Sequence, residues 1–382
     1  MAAGVYLHIP FCKSRCSYCD FATDVYRSSD AVERYVAALC KEIETFPEQV
    51  ITTCDSGWVN VNIDTIYFGG GTPSLLDAAQ VEAILKTVRN TFAVDASSEI
   101  TMEMNPATVT PETLEKYRKL GVNRASFGVQ TFDDTELKRL ARGHNAQDAR
   151  DTFRMLRDAG FENVGFDLIA GLPRQTLADW ERNLDEALTM QPEHLSLYLL
   201  EIHESTPLAE QIKSERQPLP DEELAAEMYE LMLDKVAAAG YRQYEISNFA
   251  RPGFESRHNS KYWLLDPVYG FGVSAHSYNG VERYANDRDT NAYVATIESG
   301  ASPEVMREEI DTPSEYIFLG LRLNRGIDLD AFRARFGSGL ETRFAAELDD
   351  LSDKGLLSID GGRLFLTEKG MLFSNEVFAA FV

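Results

Sequence analysis

The chain has 382 residues, of which 44% are hydrophobic, and this length favours two globular domains over a single core. Its formal net charge at pH 7 is −24, which argues against nucleic acid as the main partner because the protein repels polyanions. The sequence has no apolar run of about 18 residues and no basic segment leading into an apolar stretch at its start. It therefore predicts neither a transmembrane segment nor a signal peptide.

Three of the five cysteines, Cys12, Cys16 and Cys19, lie within eight residues, directly after a β-branched and aromatic run that predicts a strand. Three thiolates suit an iron–sulfur cluster, because they leave one iron of a four-iron cluster with an open position. The same spacing could also place three small side chains on one helix face. Pro10 and the polar Lys-Ser-Arg insert favour a loop, and therefore the cluster.

The other two cysteines are isolated in the sequence. Cys40 falls on an amphipathic helical pattern that predicts core packing, and Cys54 has no cysteine near it. An odd count with this distribution does not predict a disulfide framework. We therefore expect a reducing, cytoplasmic location.

Short β-prone runs alternate with segments whose apolar residues have helical spacing. The predicted strands are residues 5–9, 65–68, 99–104, 124–129, 165–169 and 195–200, and the predicted helices are residues 31–43, 78–88, 114–120, 149–156 and 177–188. The alternation predicts an α/β fold with parallel strands and right-handed crossovers. Because the repeats are fewer than the eight that close a barrel, the pattern allows an incomplete barrel or a flat doubly wound sheet.

Ligands of parallel sheets bind at the carboxyl ends of the strands, and the chemically informative residues of this chain fall there. The cysteines follow the first strand, Gly69, Gly70, Gly71 and Thr72 follow the second, Glu103 closes the third, Gln130 follows the fourth, and Asp167 lies in the fifth. Successive glycines let the backbone approach a ligand closely, although a tight turn alone would explain them.

Cys-x3-Cys-x2-Cys after a strand resembles the signature of the radical S-adenosylmethionine (SAM) superfamily. The run from Tyr6 to Cys12 resembles one branch of it, the oxygen-independent coproporphyrinogen oxidases and their haem-chaperone relatives. The resemblance implies a partial (βα)6 barrel of the TIM type and a [4Fe–4S] cluster on Cys12, Cys16 and Cys19. It also implies that SAM chelates the open iron and is cleaved to a 5′-deoxyadenosyl radical after an electron donor such as flavodoxin or ferredoxin reduces the cluster.

The same resemblance implies roles for individual side chains. It places Tyr6, Tyr18, Gly70 and Glu103 on the cluster-bound SAM. It places a second SAM on Gly71, Thr72, Gln130, Arg142 and Asp167, whose presence in the sequence does not by itself establish that a second SAM binds.

A further informative run is His258-Asn259-x-x-Tyr262-Trp263, which resembles a motif of the haem chaperones. The resemblance implies haem binding here, and the chemistry agrees, because imidazole is a good iron ligand and aromatic rings can stack on a porphyrin. A structural role stays open, in which His258 and Asn259 hydrogen-bond to the backbone and Trp263 packs in a core.

The sequence divides into a barrel domain at residues 1–245, a connecting segment at 246–305 and a small α+β, winged-helix-like domain at 306–382. In the last, residues 314–321, 330–336 and 340–351 predict helices, and 356–367 predict a hairpin with a Gly361-Gly362 turn. The third helix is rich in Asp and Glu, which makes it a poor reader of DNA, so we expect a lid or structural cap.

Three functions fit the resemblance: a haem chaperone that delivers haem to acceptor haemoproteins, the coproporphyrinogen oxidase, and a radical methylase that uses two SAM molecules. The oxidases carry a fourth cysteine two positions after the third, where this chain has Phe21. They also have an extension before the first strand, which begins here near residue 5. Together with the His258–Trp263 run, these differences favour the haem chaperone.

Overall fold

The computed structural model describes residues 2–25, 28–53 and 61–381, although not the side chains of residues 48–53. Cys54 lies outside the described residues. None of the helices in the described ranges is both long and apolar enough to cross a membrane.

The strands are β1 (Ala3–Ile9), β2 (Phe11–Cys12), β3 (Asp24–Val25), β4 (Asn62–Gly70), β5 (Ala93–Met104), β6 (Arg124–Gln130), β7 (Val164–Ala170), β8 (His194–Leu199), β9 (Arg242–Glu245), β10 (Asn248–Ala250), β11 (Val268–Phe271), β12 (His276–Tyr278), β13 (Glu282–Asn286), β14 (Glu304–Glu309), β15 (Ile327–Asp328), β16 (Leu357–Asp360) and β17 (Arg363–Leu366).

The helices are α1 (Ser29–Thr53), α2 (Ala78–Thr91), α3 (Pro111–Leu120), α4 (Asp134–Arg139), α5 (Ala146–Asp158), α6 (Leu177–Met190), α7 (Pro207–Lys213), α8 (Glu222–Ala238), α9 (Arg257–Trp263), α10 (Thr290–Ser299), α11 (Thr312–Gly320), α12 (Leu329–Phe336), α13 (Leu340–Arg343), α14 (Ala345–Asp353), α15 (Glu368–Leu372) and α16 (Ser374–Ala379). A short 3-10 turn, Pro73–Leu75, follows β4.

The predicted α/β architecture is confirmed by the order of the parallel strands. β1, β4, β5, β6, β7 and β8 are neighbours in chain order, each pairing in parallel with the next. A doubly wound sheet reverses its strand order at a switch point, and no reversal occurs among these six strands. The arrangement is therefore the incomplete barrel, with the predicted helices found in α1, α2, α3, α5 and α6 as its outer layer.

Alternation along the strands separates an apolar outer face from a polar lumen. In β5, Ile100, Met102 and Met104 belong to the hydrophobic core shared with the helices. Successive strand side chains point to opposite faces, so the residues between them point inward. The inward set is polar or small, and consists of Gly4, Tyr6, His8, Thr65, Tyr67, Gly69, Glu99, Thr101, Glu103, Arg124, Ser126, Gly128, Gly165, Asp167, His194, Ser196 and Tyr198.

Helix ends follow signals that are visible in the sequence. The Thr110 side chain accepts a hydrogen bond from the Thr113 amide and Pro111 opens α3, which Gly121 ends in a left-handed conformation at φ +104°. Asp221 caps α8 in the same way. These caps fix where each crossover helix begins against the sheet.

Residues 246–305 extend the barrel sheet on both sides. β10 pairs antiparallel with β8, while β11 pairs in parallel with β1 and continues through β12, β13 and β14. Within the described residues these strands make a 12-stranded sheet. The sequence did not indicate these strands, because they are short and lack the strand–helix alternation; the boundaries at 245 and 305 stay predictions.

The C-terminal residues form a small α+β unit with a hydrophobic core of its own. β16 and β17 form the predicted hairpin, whose Gly361 and Gly362 both have positive φ. The predicted helix over 340–351 is instead two helices, α13 and α14, because Phe344 leaves the helical conformation at ψ +36°. The unit contacts the barrel where Arg322 pairs with Glu245, which is completely buried.

Candidate functional site

The three clustered cysteines lie at the carboxyl end of the barrel, in β2 and the loop that follows it. The loop prediction is confirmed, since residues 13–23 contain no helix. The backbone holds the loop against the glycine turn after β4, because the amides of Gly71 and Thr72 donate to the carbonyls of Ile9 and Phe11, both at 2.8 Å. All three thiols are free and half-buried.

His8 holds the end of the cysteine loop, at Ala22. Its Nε2 lies 2.9 Å from the Ala22 carbonyl, so Nε2 carries the proton and Nδ1 accepts from the Tyr6 hydroxyl at 3.1 Å. Burial lowers the pKa of His8, which keeps the ring neutral in this arrangement. His8 therefore connects Tyr6 in the lumen to the cysteine loop.

Electrostatics disfavour free thiolates at this site. Burial raises the pKa of Cys12 to about 11; the charges of Cys16 and Cys19 act in the same direction, and the hydrogen bond from Thr72 and the charge of Arg142 oppose them. Burial likewise raises the pKa of Cys19. Three mutually repelling thiolates become favourable when metal binding displaces their protons.

The donor set fits an iron–sulfur cluster better than a single ion. In the described part of the chain, no three His, Cys, Asp or Glu side chains converge on one metal position. A cluster does not require that convergence, because each thiolate binds a different iron. Three half-buried cysteines whose charges act on one another are therefore compatible with a cluster.

A chain of hydrogen bonds joins two of the cysteine sulfurs through the barrel end. Thr72 Oγ1 donates to Cys12 Sγ at 3.5 Å and accepts from Asn105 Nδ2 at 2.8 Å. Asn105 Oδ1 accepts from Arg142 Nη2 at 2.8 Å, and Arg142 Nη1 lies 3.4 Å from Cys16 Sγ. The structure thus places Arg142 and Thr72 against the cysteines.

Glu103 lies beside the glycine turn in the lumen. Its Oε1 accepts from the Tyr67 hydroxyl at 2.7 Å and its Oε2 from the Gly70 amide at 3.1 Å. Burial raises the pKa of Glu103 to about 7, opposed by these two hydrogen bonds. A cationic group bound nearby would favour the ionised carboxylate.

The remaining predicted SAM residues lie at the carboxyl end of the barrel, and of these Asp167 faces the lumen. The hydroxyl of Tyr18 lies 3.4 Å from Arg142 Nη1. Asp167 accepts from Ser126 Oγ at 3.4 Å, and its charge raises the pKa of Glu103. Gln130 is the last residue of β6 instead of following it, with φ +68°. Arg142 Nε is buried without a partner, which leaves a donor available to a bound ligand.

The predicted haem motif forms α9, which closes the opposite end of the lumen. Lys261 Nζ donates to the Ala2 carbonyl and pairs with Asp64 Oδ1, both at 2.8 Å, beside the first residues of β1 and β4. The amides of Arg257 and His258 donate to the Glu99 carboxylate at 3.2 and 3.1 Å. The helix therefore plugs the end of the barrel that is remote from the cysteines.

His258 is 1% exposed and both of its ring nitrogens have partners. Nδ1 lies 2.9 Å from Thr65 Oγ1, Nε2 lies 3.2 Å from the Tyr262 hydroxyl, and the ring stacks on Tyr67 with centroids 5.0 Å apart. Burial lowers the pKa of His258 to about 3. This geometry favours the structural role for His258, and iron could reach the ring only if α9 moved.

The other members of the motif are more accessible. Asn259, Tyr262 and Trp263 are half-buried. The guanidinium of Arg322 lies 4.2 Å from the Trp263 ring centroid, so Trp263 packs where the C-terminal unit meets the barrel. Their predicted haem contact stays a prediction.

Some residues of the site had no sequence signal that we recognised. Asn105 bridges Thr72 and Arg142, and Glu99 holds the first turn of α9. Strand side chains alternate between the two faces, so Glu99 lies on the same face as Glu103, and this two-residue period would have predicted that Glu99 points into the lumen. Asn105 directly follows β5, outside the strand alternation, and only the folded turn brings its side chain between Thr72 and Arg142.

Comparison with known proteins relates the whole chain to one family. The radical SAM superfamily matches residues 6–187 and the HemN C-terminal domain matches residues 308–373. Heme chaperone HemW of Bacillus subtilis is 37% identical over 383 residues, 99% of each chain. Heme chaperone HemW of Escherichia coli is 32% identical over 388 residues, 99% of this chain and 98% of that protein.

A mitochondrial relative and a solved structure support the same family and fold. Radical S-adenosyl methionine domain-containing protein 1 of Bos taurus is 35% identical, covering 97% of this chain and 85% of its own. The coproporphyrinogen III oxidase HemN of Escherichia coli, at 24% identity, shares the fold with a TM-score of 0.86 over 100% of this chain and 90% of its own. The chain therefore belongs to the radical SAM superfamily, whose members use a [4Fe–4S] cluster and SAM, and within it to the family of the heme chaperone HemW.

Proposed function

We propose that this protein is a radical SAM haem chaperone that binds haem and delivers it to acceptor haemoproteins. The observation that carries the proposal is the 37% identity to heme chaperone HemW of Bacillus subtilis over 99% of both chains. Phe21 supports it, because the side chain is 68% exposed and supplies no thiol where the resembling oxidases carry a cysteine.

In this proposal Cys12, Cys16 and Cys19 hold the cluster. When bound, the cluster and SAM supply one-electron reductive cleavage to an adenosyl radical. The protein contributes the hydrogen bonds from Thr72 and Arg142, which disperse negative charge on the Cys12 and Cys16 sulfurs.

The SAM site in this proposal is the lumen directly above Glu103. Gly70 and Tyr67 orient the carboxylate of Glu103 toward a cationic amino group, with Tyr6 and Tyr18 flanking the ligand. A second SAM would use Gly71, Thr72, Gln130, Arg142 and Asp167. The unpartnered Arg142 Nε supports an acceptor atom at that position.

The proposal implies two kinds of protein partner. Acceptor haemoproteins receive the haem, and a reduced flavodoxin or ferredoxin supplies the electron. A reducing cytoplasmic compartment suits the free cysteines and the cluster.

A paired assay tests the function. Anaerobically reconstituted protein should bind haem at one per chain and produce no vinyl-bearing porphyrinogen from coproporphyrinogen III. Formation of harderoporphyrinogen or protoporphyrinogen would instead identify an oxidase, and a methylated product with S-adenosylhomocysteine would identify a methylase. Lack of haem binding would refute the chaperone.

Single alanine substitutions test the cluster ligands. Cys12→Ala, Cys16→Ala and Cys19→Ala should each abolish most of the iron and sulfide retained after reconstitution. Cys40→Ala is the matched control, since Cys40 packs against the hydrophobic core on α1, and it should retain the cluster. Full iron content in any of the three variants would remove that residue from the ligand set.

A further inference from the structure

The barrel lumen contains a buried cation without a partner. Arg124, the first residue of β6, is 1% exposed. Its side chain has neither a hydrogen bond nor an ion pair with any residue that the structure describes, and its Nε is completely buried. A guanidinium removed from water without an acceptor is costly to the folded state. The unsatisfied guanidinium therefore indicates an acceptor other than the residues that the structure describes.

Two neighbouring polar atoms are also without partners. Thr101 faces Arg124 across the β5–β6 ladder, and its Oγ1 is buried and unpaired. His194 Nδ1 is likewise buried and unpaired, while its Nε2 lies 2.8 Å from the Tyr244 hydroxyl. His194 lies close by, because its Nδ1 borders Gly165, which pairs with Ser126 two residues along β6 from Arg124. Burial, and then the charge of Arg124, lowers the pKa of His194. Unpaired polar atoms of native interiors are uncommon, so three at one place form a distinctive feature.

The charges around Arg124 leave it incompletely compensated. Burial raises the pKa of Asp167, and Arg124 is among the groups that oppose this, but no ion pair forms between the two within the described residues. Asp167 is instead held by Ser196 and Ser126. Burial favours the neutral form of four other groups, in each of which the charge of Arg124 also acts to lower the pKa: Tyr67, His194, Tyr244 and His258. Carboxylates are also present, since Glu103 acts on Tyr67 and Glu99 acts on Tyr244, but none of them forms an ion pair with Arg124 among the described residues.

We propose that Arg124, with Thr101 and His194, forms an anion subsite inside the barrel that takes one carboxylate of a ligand entering from the cysteine end. A guanidinium offers two parallel donors that match the two oxygens of a carboxylate. The Thr101 hydroxyl adds a third donor on the adjacent strand. The row Tyr6, Tyr67, Thr101 and Arg124 runs across four adjacent strands, so this subsite is continuous with the candidate SAM site.

Two ligands could supply the carboxylate: the propionate of a haem, for which the inference rests on the proposed function, and the amino-acid moiety of a second SAM, because that of the first SAM would chelate the open iron of the cluster. Two ligand pairs separate them, haemin against its dimethyl ester and SAM against decarboxylated SAM. Each pair is titrated into anaerobically reconstituted wild-type protein and into Arg124→Met and Arg124→Lys. The measured quantity is the ratio of affinities within each pair, so that general effects of the substitution cancel.

Loss of a charge-assisted bond predicts that Arg124→Met reduces this ratio about 10- to 100-fold for one of the two pairs. Arg124→Lys should keep part of the preference, because it retains the charge. The control Arg118→Met removes a guanidinium that donates to the Val122 carbonyl on the outer layer, and it should change neither ratio. Equal ratios in wild type and Arg124→Met for both pairs would overturn the subsite.

Thermal unfolding of the ligand-free protein gives an independent test. Replacing an unpaired buried charge with an apolar side chain of similar length should leave the melting temperature unchanged or raise it. A lower melting temperature for Arg124→Met would show that buried water alone already satisfies the guanidinium, and would overturn the proposal. If haemin and its ester both fail to bind wild-type protein, the chaperone function fails, while the SAM pair still decides the subsite.

Discussion

Arg142 directs Nη1 toward the sulfur of Cys16 at 3.4 Å, while its Nη2 is fixed by the Gly128 carbonyl at 2.5 Å and Asn105 Oδ1 at 2.8 Å. The guanidinium is therefore held by the barrel end and not by the loop that carries the cysteine. A fixed positive charge beside a thiolate stabilises the more negative, reduced state of a bound cluster.

Arg142→Gln should lower the reduction potential of the reconstituted cluster. Removing the charge costs the reduced state more than the oxidised state, and a difference of about 1.4 kcal/mol corresponds to about 60 mV for one electron. Redox titration followed by electron paramagnetic resonance measures the shift. Arg139→Gln is the control, since Arg139 donates to the Pro173 carbonyl, and its potential should match the wild type. An unchanged potential in Arg142→Gln would contradict the electrostatic role.

Gly70→Ala should disrupt the site through its methyl group. Gly70 has φ +107°, and an added Cβ would lie 2.6 Å from the His8 ring, which holds the cysteine loop. We expect the free energy of unfolding to fall by roughly 2 kcal/mol more than in Gly171→Ala, together with reduced iron content. Gly171 is a matched control, because it also has positive φ but has open space around its Cβ position. Equal losses in denaturant unfolding would show that the contact with His8 does not matter.

His258→Ala should destabilise the fold more than it weakens haem binding. The substitution leaves the Thr65 and Tyr262 hydroxyls without their shared partner in a buried place, which predicts a loss of about 2–4 kcal/mol in denaturant unfolding. Haem affinity of the folded fraction should stay close to wild type. Asn259→Ala, at a half-buried position of the same helix, should cost less than about 1 kcal/mol. A large loss of haem affinity at unchanged stability would instead establish His258 as a haem ligand.

Glu42 should make stability depend on pH. Burial raises its pKa to about 7 from 4.5, opposed by hydrogen bonds from Tyr293, Gly272 and Asn286. Between these two pKa values the folded state holds a proton that the unfolded state has released. The free energy of unfolding should therefore decrease as pH rises from about 4.5 to about 7, by an order of 3 kcal/mol, and level off above.

Urea unfolding at about pH 5 and about pH 8 measures this effect as the difference between wild type and Glu42→Gln. The variant cannot ionise, so its stability relative to wild type should improve as pH rises. Glu44→Gln, at an exposed position of the same helix, should follow the wild type. A parallel pH dependence in Glu42→Gln and wild type would exclude this carboxyl as the source.

Much of the barrel could be predicted because the sequence patterns that specify its strands, helices and turns are local. The strand–helix alternation, the Thr110-Pro111 start of α3 and the Gly361-Gly362 hairpin turn each act within a few residues of chain. Pro10 and the polar insert between Cys12 and Cys16 also identified the cysteine loop correctly, since they are incompatible with an apolar helix face. The division of the helix over 340–351 was missed because Phe344 breaks it through packing in the small domain's core, not through Gly or Pro.

The sequence by itself predicted the superfamily, and it predicted Cys12, Cys16 and Cys19 as cluster ligands, because thiol spacing and alternating patterns are properties of adjacent residues. The alternation allowed an incomplete barrel or a doubly wound sheet, and the strand order of the tertiary structure decided for the barrel. Only the tertiary structure decided that Arg142 faces Cys16, that α9 buries His258 at the far end of the lumen, and that Arg124 is buried with no partner among the described residues. Each of these relationships joins residues from different strands and helices. Burial and the presence or absence of a partner follow from how those elements pack, which no single stretch of chain encodes.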